Sequence, residues 1–410
     1  MVIMKKRYLS GSLEDICFKH HKMAFISGPR QCGKTTLAKM TLKERGVGSY
    51  HNWDETQFRR LWVKEPQSII PQSKGKTPLI IFDEIHKAKL WKRTLKGIYD
   101  SMDDRGADII VTGSARLNVY KKGSDSLMGR YFHFRLHPFS LGELEKGPPL
   151  SPKKIIDNVF EKPLVSSKQR QATLRNLLHF GGFPEPFLAQ SDQILRLWQK
   201  GRKEKVIRED LRDLTRIPEL SQIEMLVSLL PEQIGSFLSR ASLRSDLEVS
   251  FDTVRRWIIY LKELYYLFEI KPYQQNIKRS LKKEGKVYLW DFSEVVDEAA
   301  RFENLVACHL LKFCHFWTDC GEGEFELFCL RDKQQHEIDF LICKDAKPWL
   351  PVEAKLNNAA PSANWGTFLK QLPCKKGLQI VLKDNIWQHH KNQDGQVLVA
   401  SASDVLPFFV

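Results

Sequence analysis

The sequence predicts an α/β protein: a parallel sheet wrapped by helices, a mostly helical middle region, and a second stretch of alternating strands and helices. Three observations carry this. Up to about residue 140, short apolar runs alternate with helical patterns, which is how a parallel sheet reads. From about 153 to 275 the spacing is helical, and from about 286 onward strands and helices alternate again. Gly147-Pro148-Pro149-Leu150-Ser151-Pro152 reads as a boundary or an exposed loop between the first two regions. Domains are therefore expected at 1–150, 151–285 and 286–410.

In the first region, strands are expected at Met23–Ser27, Ser49–Trp53, Leu79–Phe82, Asp108–Thr112 and Phe132–Leu136. The first of them runs into Gly28-Pro29-Arg30-Gln31-Cys32-Gly33-Lys34-Thr35, which fits the phosphate-loop pattern G-x-x-x-x-G-K-[ST] without a mismatch. Thr36-Leu37-Ala38-Lys39-Met40 reads as the helix leading out. Glycines allow backbone N–H groups to turn toward phosphate oxygens, and the helix N-terminus adds partial positive charge there. Residues Gly28 to Thr36 are thus the expected ATP-binding segment. Lys34 would reach the β- and γ-phosphates, and the Thr35 hydroxyl would bind Mg²⁺.

The strand Leu79-Ile80-Ile81-Phe82 ends in Asp83-Glu84. Asp83 is placed to hold the metal through water, and Glu84 to polarise the water attacking the γ-phosphate, which favours hydrolysis over transfer. The next strand ends in Thr112-Gly113-Ser114, either a γ-phosphate sensor led by Thr112 or only a turn. One strand falls between the phosphate-loop strand and the Asp-Glu strand, which places the region in the AAA-type branch of ATPases.

In the middle region, Trp198 to Leu214 reads as a charged helix and Gly181-Gly182-Phe183-Pro184-Glu185-Pro186 as a turn. A winged helix-turn-helix is expected next, with helices at Leu243–Val249 and Thr253–Leu264, Ser250 as N-cap, and Tyr266–Ile270 as wing strand. Val254, Trp257, Ile258 and Leu261 form an apolar stripe that leaves Arg255, Arg256 and Tyr260 outside. Such a helix can enter a major groove or serve as a packing module. Lys278, Arg279, Lys282, Lys283 and Lys286 follow as a basic run, consistent with phosphate contacts or a solvated loop.

In the last region, Glu337-Ile338-Asp339-Phe340-Leu341-Ile342 and Leu350-Pro351-Val352-Glu353-Ala354-Lys355 read as strands. Glu353 and Lys355 share a face, because side chains alternate along a strand. Asp339 and Glu353 could hold Mg²⁺ while Lys355 orients water at a phosphodiester, and Glu303 on the preceding helix could add a third carboxylate. The D-x(n)-E-x-K pattern is loose, and the same charges can simply pair with one another.

Taken together, these motifs resemble a bacterial and archaeal family of AAA-type P-loop ATPases with a C-terminal domain of restriction-endonuclease-like, PD-(D/E)xK, fold. The resemblance rests on Gly28–Thr36, Asn52-Trp53-Asp54, Asp83-Glu84-Ile85-His86-Lys87, Thr112-Gly113-Ser114, Gly129-Arg130, Gly181-Gly182-Phe183-Pro184-Glu185, Arg301-Phe302-Glu303-Asn304, Glu337-Ile338-Asp339-Phe340 and Glu353-Ala354-Lys355, in that order along nearly the whole chain. It implies an ATPase core, a winged-helix region and a nuclease-like terminus, without establishing cleavage. It also singles out Arg130 and Arg116, because such ATPases often complete their site with an arginine from the same or a neighbouring chain, which leaves room for a homo-oligomer. A plain salt-bridging arginine is the alternative.

Composition suggests a polyanionic partner, most simply nucleic acid, or else a merely soluble basic protein. The formal net charge is +15, while hydrophobic content of 42% and charged content of 28% are ordinary for a globular chain of 410 residues. No apolar run approaches the roughly 18 residues that span a bilayer, so no membrane partner is expected. Met1-Val2-Ile3-Met4-Lys5-Lys6-Arg7 lacks the apolar stretch of a signal peptide. Eight scattered cysteines read as reduced thiols of a cytoplasmic protein. The expected function is a Mg²⁺-dependent ATPase whose nucleotide state controls DNA binding and, through the C-terminal domain, cleavage. The rivals are a switch with a silent nuclease-like domain and a signalling scaffold without nucleic acid.

Overall fold

A computed structural model describes residues 5–71, 75–102, 106–113, 127–145, 152–161, 167–211, 220–274, 284–357 and 360–410. The chain divides into two compact units, Met1–Pro138 and Phe139–Val410. Among the described residues, no helix is long and apolar enough to cross a membrane.

The first unit is built on five parallel strands: β1 Met23–Ser27, β2 Gly48–Asn52, β3 Leu79–Asp83, β4 Asp108–Thr112 and β5 Tyr131–Arg135. Their order is β2-β3-β4-β1-β5, so β4 is the strand lying between the phosphate-loop strand and the Asp-Glu strand. β1, β3 and β4 are buried along their whole length, as their unbroken apolar runs require of a sheet covered on both faces. Met23, Phe25, Ile80, Phe82, Ile109 and Val111 alternate along these strands and enter one core. Helices α1 Lys34–Arg45, α2 Thr56–Lys64 and α3 Trp91–Asp100 connect the strands. Phe58 and Trp62 of α2 join the same core, with the Trp62 ring edge-on to Phe82 at 5.4 Å, and Leu95 and Ile98 of α3 join it too. Each such large apolar side chain contributes about 1.5–3 kcal/mol when fully buried.

The second unit carries an eight-stranded mixed sheet of order β12-β13-β11-β10-β9-β8-β6-β7. Its strands are β6 Leu267–Pro272, β7 Lys286–Leu289, β8 Phe325–Arg331, β9 Glu337–Lys344, β10 Lys347–Lys355, β11 Lys376–Val381, β12 Trp387–Asn392 and β13 Gly395–Ser401. The helix-helix-strand segment read from the sequence is present, with α4 Arg240–Asp246 and α5 Phe251–Glu263. α4 starts three residues earlier than expected because Ser239 caps it, accepting from Ser242 N–H at 3.2 Å. Ser250 caps α5 as expected, accepting from Thr253 N–H at 3.1 Å. The stripe of Val254, Trp257, Ile258 and Leu261 is buried, while Arg255 and Arg256 are exposed and Tyr260 is half-buried.

The expected wing strand has a second partner. β6 pairs antiparallel with β7 and also parallel with β8, so the hairpin extends the final sheet. A long helix, α6 Glu298–Asp319, supplies Phe302, Leu305, Val306, Leu310 and Phe313 to the core of this unit. The charged helix expected from Trp198 runs earlier, over Asp192–Glu204, and continues as a π-helical segment over Lys205–Leu211. Residues 212–214, most of the 147–152 boundary, Ser114, Arg116, Lys278, Arg279, Lys282 and Lys283 lie outside the described residues.

Candidate nucleotide site and the acidic centre

At the C-terminal end of β1 the chain turns sharply. Gly28 has φ +148° and Gly33 has φ +99°, conformations that favour glycine. A Cβ on Gly28 would lie 2.2 Å from the Leu136 carbonyl oxygen, so the close approach of this loop to the segment after β5 also demands glycine. Arg7 reinforces the contact: its guanidinium donates to the carbonyls of Cys32 and His137, both at 2.5 Å. The Tyr8 hydroxyl donates to the Arg135 carbonyl at 2.6 Å and accepts from His137 N–H at 3.0 Å. Cys32 is fully buried, its Sγ 3.4 Å from the Leu136 carbonyl.

α1 begins at Lys34. The Lys34 ammonium folds back across the loop, donating to the carbonyls of Gly28 at 2.9 Å and Pro29 at 2.6 Å. One residue on, the Thr35 hydroxyl donates to Asp83 Oδ2 at 2.8 Å. β3 therefore delivers its terminal carboxylate to the first turn of α1. Asp83 is only 3% exposed and takes two further hydroxyls, Tyr50 at 2.7 Å on Oδ2 and Thr112 on Oδ1. Thr112, read as a γ-phosphate sensor or a turn, thus meets the Asp83 carboxylate directly.

Glu84 follows with φ +60° and its N–H bonded to the Thr112 carbonyl at 3.0 Å. Its Oε2 lies 3.5 Å from His86 Nε2 and 4.0 Å from Lys87 Nζ, while Lys87 is itself held by Asp54 at 2.8 Å. Burial raises the Glu84 carboxyl above its ordinary value, against the pull of Lys34 and Lys87. A higher proton affinity suits a group that takes a proton from water.

This donor set fits Mg²⁺ and a nucleotide polyphosphate. Thr35 and Asp83 would hold the metal, and Lys34 with the loop N–H groups would hold the phosphates.

Arg130 does not join this group. Its carbonyl accepts from Met23 N–H, which puts it at the N-terminal edge of the sheet, whereas the phosphate loop leaves the C-terminal edge. The two edges are about 13 Å apart over a five-residue strand. Its guanidinium makes a two-pronged bridge to Asp100, at 2.6 and 3.0 Å. In its own chain, Arg130 is the salt-bridging arginine.

In the second unit, Glu303 of α6, Asp339 of β9, and Glu353 and Lys355 of β10 come near one another. Lys286 of β7 stands among the acids. Its ammonium is 3.4 Å from Glu303 Oε1, 3.3 Å from Glu337 Oε2 and 3.4 Å from Asp339 Oδ1. Lys286, expected in a basic run facing phosphate or solvent, is in fact 3% exposed. Burial opposes its charge, but the three carboxylates outweigh burial and hold its pKa above the ordinary lysine value. Burial and the charge on Asp339 raise Glu303 in turn, as expected where three acids share one ammonium.

The remaining contacts are also internal. Tyr288 donates to Glu303 Oε1 at 2.7 Å, and Ala354 N–H to Asp339 Oδ2 at 2.9 Å. Lys355 meets Glu353 Oε1 at 3.1 Å, and Ser362 donates to Glu353 Oε2 at 2.7 Å. Among the described residues, no group of three or more His, Cys, Asp or Glu side chains is disposed to hold a metal ion. The expected ligand set of Glu303, Asp339 and Glu353 is gathered around lysines instead.

Sequence reading missed Tyr50, Arg7, Tyr288 and the placement of Lys286. Tyr50 lies within the expected strand Ser49–Trp53, two residues before the Asn52-Trp53-Asp54 motif, a signal that could have drawn attention to this side chain. Nothing local marks Arg7 or Lys286: the Arg7 guanidinium reaches carbonyls 25 and 130 residues away, and the Lys286 ammonium reaches carboxylates 17 and 53 residues away.

Comparison with known proteins agrees with the first site. Residues 20–145 match the AAA domain family AAA_14. Residues 171–296 and 299–400 match two domains of unknown function, DUF8612 and DUF4143. An uncharacterized protein of Methanocaldococcus jannaschii is 23% identical over 355 residues, 82% of this chain and 76% of that one. An uncharacterized protein of Mycobacterium tuberculosis is 25% identical over 270 residues, 66% of this chain and 54% of that one. Among solved structures, the Thermotoga maritima RuvB Holliday junction branch migration motor aligns at 16% identity with a TM-score of 0.28, over 64% of this chain and 88% of that one. AMPPCP-bound DnaA of Aquifex aeolicus aligns at 15% identity and 0.25, over 62% and 86%. The assignment of an AAA-type P-loop ATPase core rests on the domain match and the site geometry.

Proposed function

We propose that the chain hydrolyses ATP with Mg²⁺ at the Gly28–Thr36 loop and uses nucleotide state to control DNA binding by the second unit. The observation that carries the ATPase part is the meeting of Thr35 and Asp83 at 2.8 Å with Glu84 next in sequence. When bound, Mg·ATP supplies the phosphoanhydride bond and a cation that offsets its charge. Thr35 and Asp83 hold the metal side, Lys34 compensates phosphate charge, and Glu84 accepts the proton of the attacking water.

DNA binding is supported by the +15 net charge and by exposed Arg255 and Arg256 on a capped helix with a buried opposite face. For the C-terminal region we propose a restriction-endonuclease-like fold, supported by the placing of Glu303, Asp339, Glu353 and Lys355 together. A second reading, in which that region binds without cutting, is favoured by the presence of Lys286 among its acids.

The test is duplex binding by fluorescence anisotropy over a salt series, with ATP, with ADP and without nucleotide. Arg255→Glu/Arg256→Glu should weaken binding about tenfold or more and lower the slope of log K against log salt by about 2. An unchanged slope removes this face from the account.

A further inference from the structure

We infer that Lys286 is the resident cation of the acidic centre, its ammonium taking the place that a divalent metal would need among Glu303, Glu337 and Asp339. The inference deepens the second reading above for the C-terminal region and does not depend on ATP hydrolysis.

Placement is the first argument. Glu303 comes from α6, Glu337 and Asp339 from the same face of β9, and the ammonium lies within 3.4 Å of all three. A divalent ion on those oxygens would sit against a fixed positive charge and be repelled by it.

The lysine is also held in place. Lys286 is registered opposite Ile270 in β6 and bridged on its other side by Phe237. The preceding Gly285 gives its N–H to Glu269 Oε1 at 3.2 Å and its carbonyl to Leu238 N–H at 3.1 Å. A Cβ on Gly285 would lie 2.6 Å from the Ile270 carbonyl oxygen, so the backbone is closely enclosed just before the lysine. Two residues on, on the same face of β7, Tyr288 donates to Glu303. β7 therefore presents a pair of donors to the acids.

Charge balance is the third argument. Arg331 meets Glu337 Oε1 at 3.2 Å and Lys355 meets Glu353 at 3.1 Å. With Lys286, three cations face the four carboxylates of Glu303, Glu337, Asp339 and Glu353. One added proton makes the group neutral, and nothing in it calls for a doubly charged ion.

The test uses the full chain without nucleotide and Mn²⁺ as probe, read by electron paramagnetic resonance or calorimetry. Wild type should show no Mn²⁺ site that Asp339→Asn removes. Lys286→Met should create one, at least tenfold tighter than any binding in wild type, and Lys286→Met/Asp339→Asn should lose it. Lys286→Arg, which keeps the cation, should behave as wild type. Wild type that binds Mn²⁺ in an Asp339-dependent way overturns the inference, as does a folded Lys286→Met that gains no site. If Lys286→Met does not fold, the comparison of wild type with Asp339→Asn decides alone. Asp339-dependent Mn²⁺ binding without DNA cleavage would sink this inference and spare the binding-only reading, whereas Asp339-dependent cleavage would sink both.

Discussion

Tyr50 gives its hydroxyl to Asp83 Oδ2 at 2.7 Å, on the same oxygen that accepts from Thr35. The phenol spans from β2 to the end of β3, and Lys39 of α1 sits 4.0 Å over its ring. Tyr50 is thereby a positioning residue for the carboxylate proposed to hold Mg²⁺.

Tyr50→Phe keeps the ring and removes one hydrogen bond to a charged acceptor. Such a bond is worth about 1.5–3 kcal/mol. The variant should stay folded and need roughly tenfold more Mg²⁺ for half-maximal ATP turnover. Magnesium titrations identical in wild type and variant would remove Tyr50 from the site.

Arg130 and Asp100 offer a paired prediction. If the bridge is what Arg130 does, Arg130→Ala and Asp100→Ala should behave alike, with a small fall in melting temperature and turnover within about twofold of wild type. A large loss of turnover in Arg130→Ala alone would instead assign Arg130 to a nucleotide held by a neighbouring chain.

Two histidines are held neutral by their surroundings: His309, buried, in the second unit, and His133, half-buried, in the first. His309 donates from Nδ1 to the Leu305 carbonyl at 2.8 Å and accepts Leu141 N–H on Nε2 at 3.0 Å, and burial pushes its pKa down to about 4. His133, 2.8 Å from Ser27 Oγ, is lowered by burial to about 4 as well. The unfolded chain binds these protons near pH 6.5, while the folded chain resists them until about pH 4. The stabilisation is therefore complete above pH 6.5 and is lost as pH falls toward 4, by a few kcal/mol at most per group. Thermal melts from pH 7.5 to 5.0 should show this loss. His309→Gln should be less stable at pH 7.5 but decline less steeply, and parallel curves would refute the assignment.

The local parts of this architecture were legible in the sequence. Five strands, the phosphate loop, the Ser250 cap and the buried stripe of α5 each depend on neighbours a few residues away, where periodicity and turn chemistry act. Along the sequence the strand Ser49–Trp53 falls between the phosphate-loop strand and the Asp-Glu strand, whereas in the sheet β4 lies between them and β2 stands at the edge. What periodicity leaves open is which strands become neighbours and which edge of the sheet a residue occupies. Arg130 follows a glycine and precedes a strand, as an arginine serving a phosphate could, yet register with Met23 puts it at the far edge. Lys286 reads as the end of a basic run, and only the β6–β7–β8 pairing turns it toward Asp339. Tyr50 meets Asp83 because β2 and β3 are adjacent, with Tyr50 opposite Ile81.

The central claim is ATP hydrolysis at the Lys34–Asp83–Glu84 site, and the most direct test is nucleotide binding and turnover measured on the same samples of wild type, Lys34→Ala and Glu84→Gln. Wild type should hydrolyse ATP with Mg²⁺, and Lys34→Ala should lose binding. Glu84→Gln should keep nucleotide within a few-fold of wild-type affinity while turnover falls by about 10²–10⁴. A Glu84→Gln chain that hydrolyses ATP at the wild-type rate, or a Lys34→Ala chain that binds and turns over normally, would contradict the account.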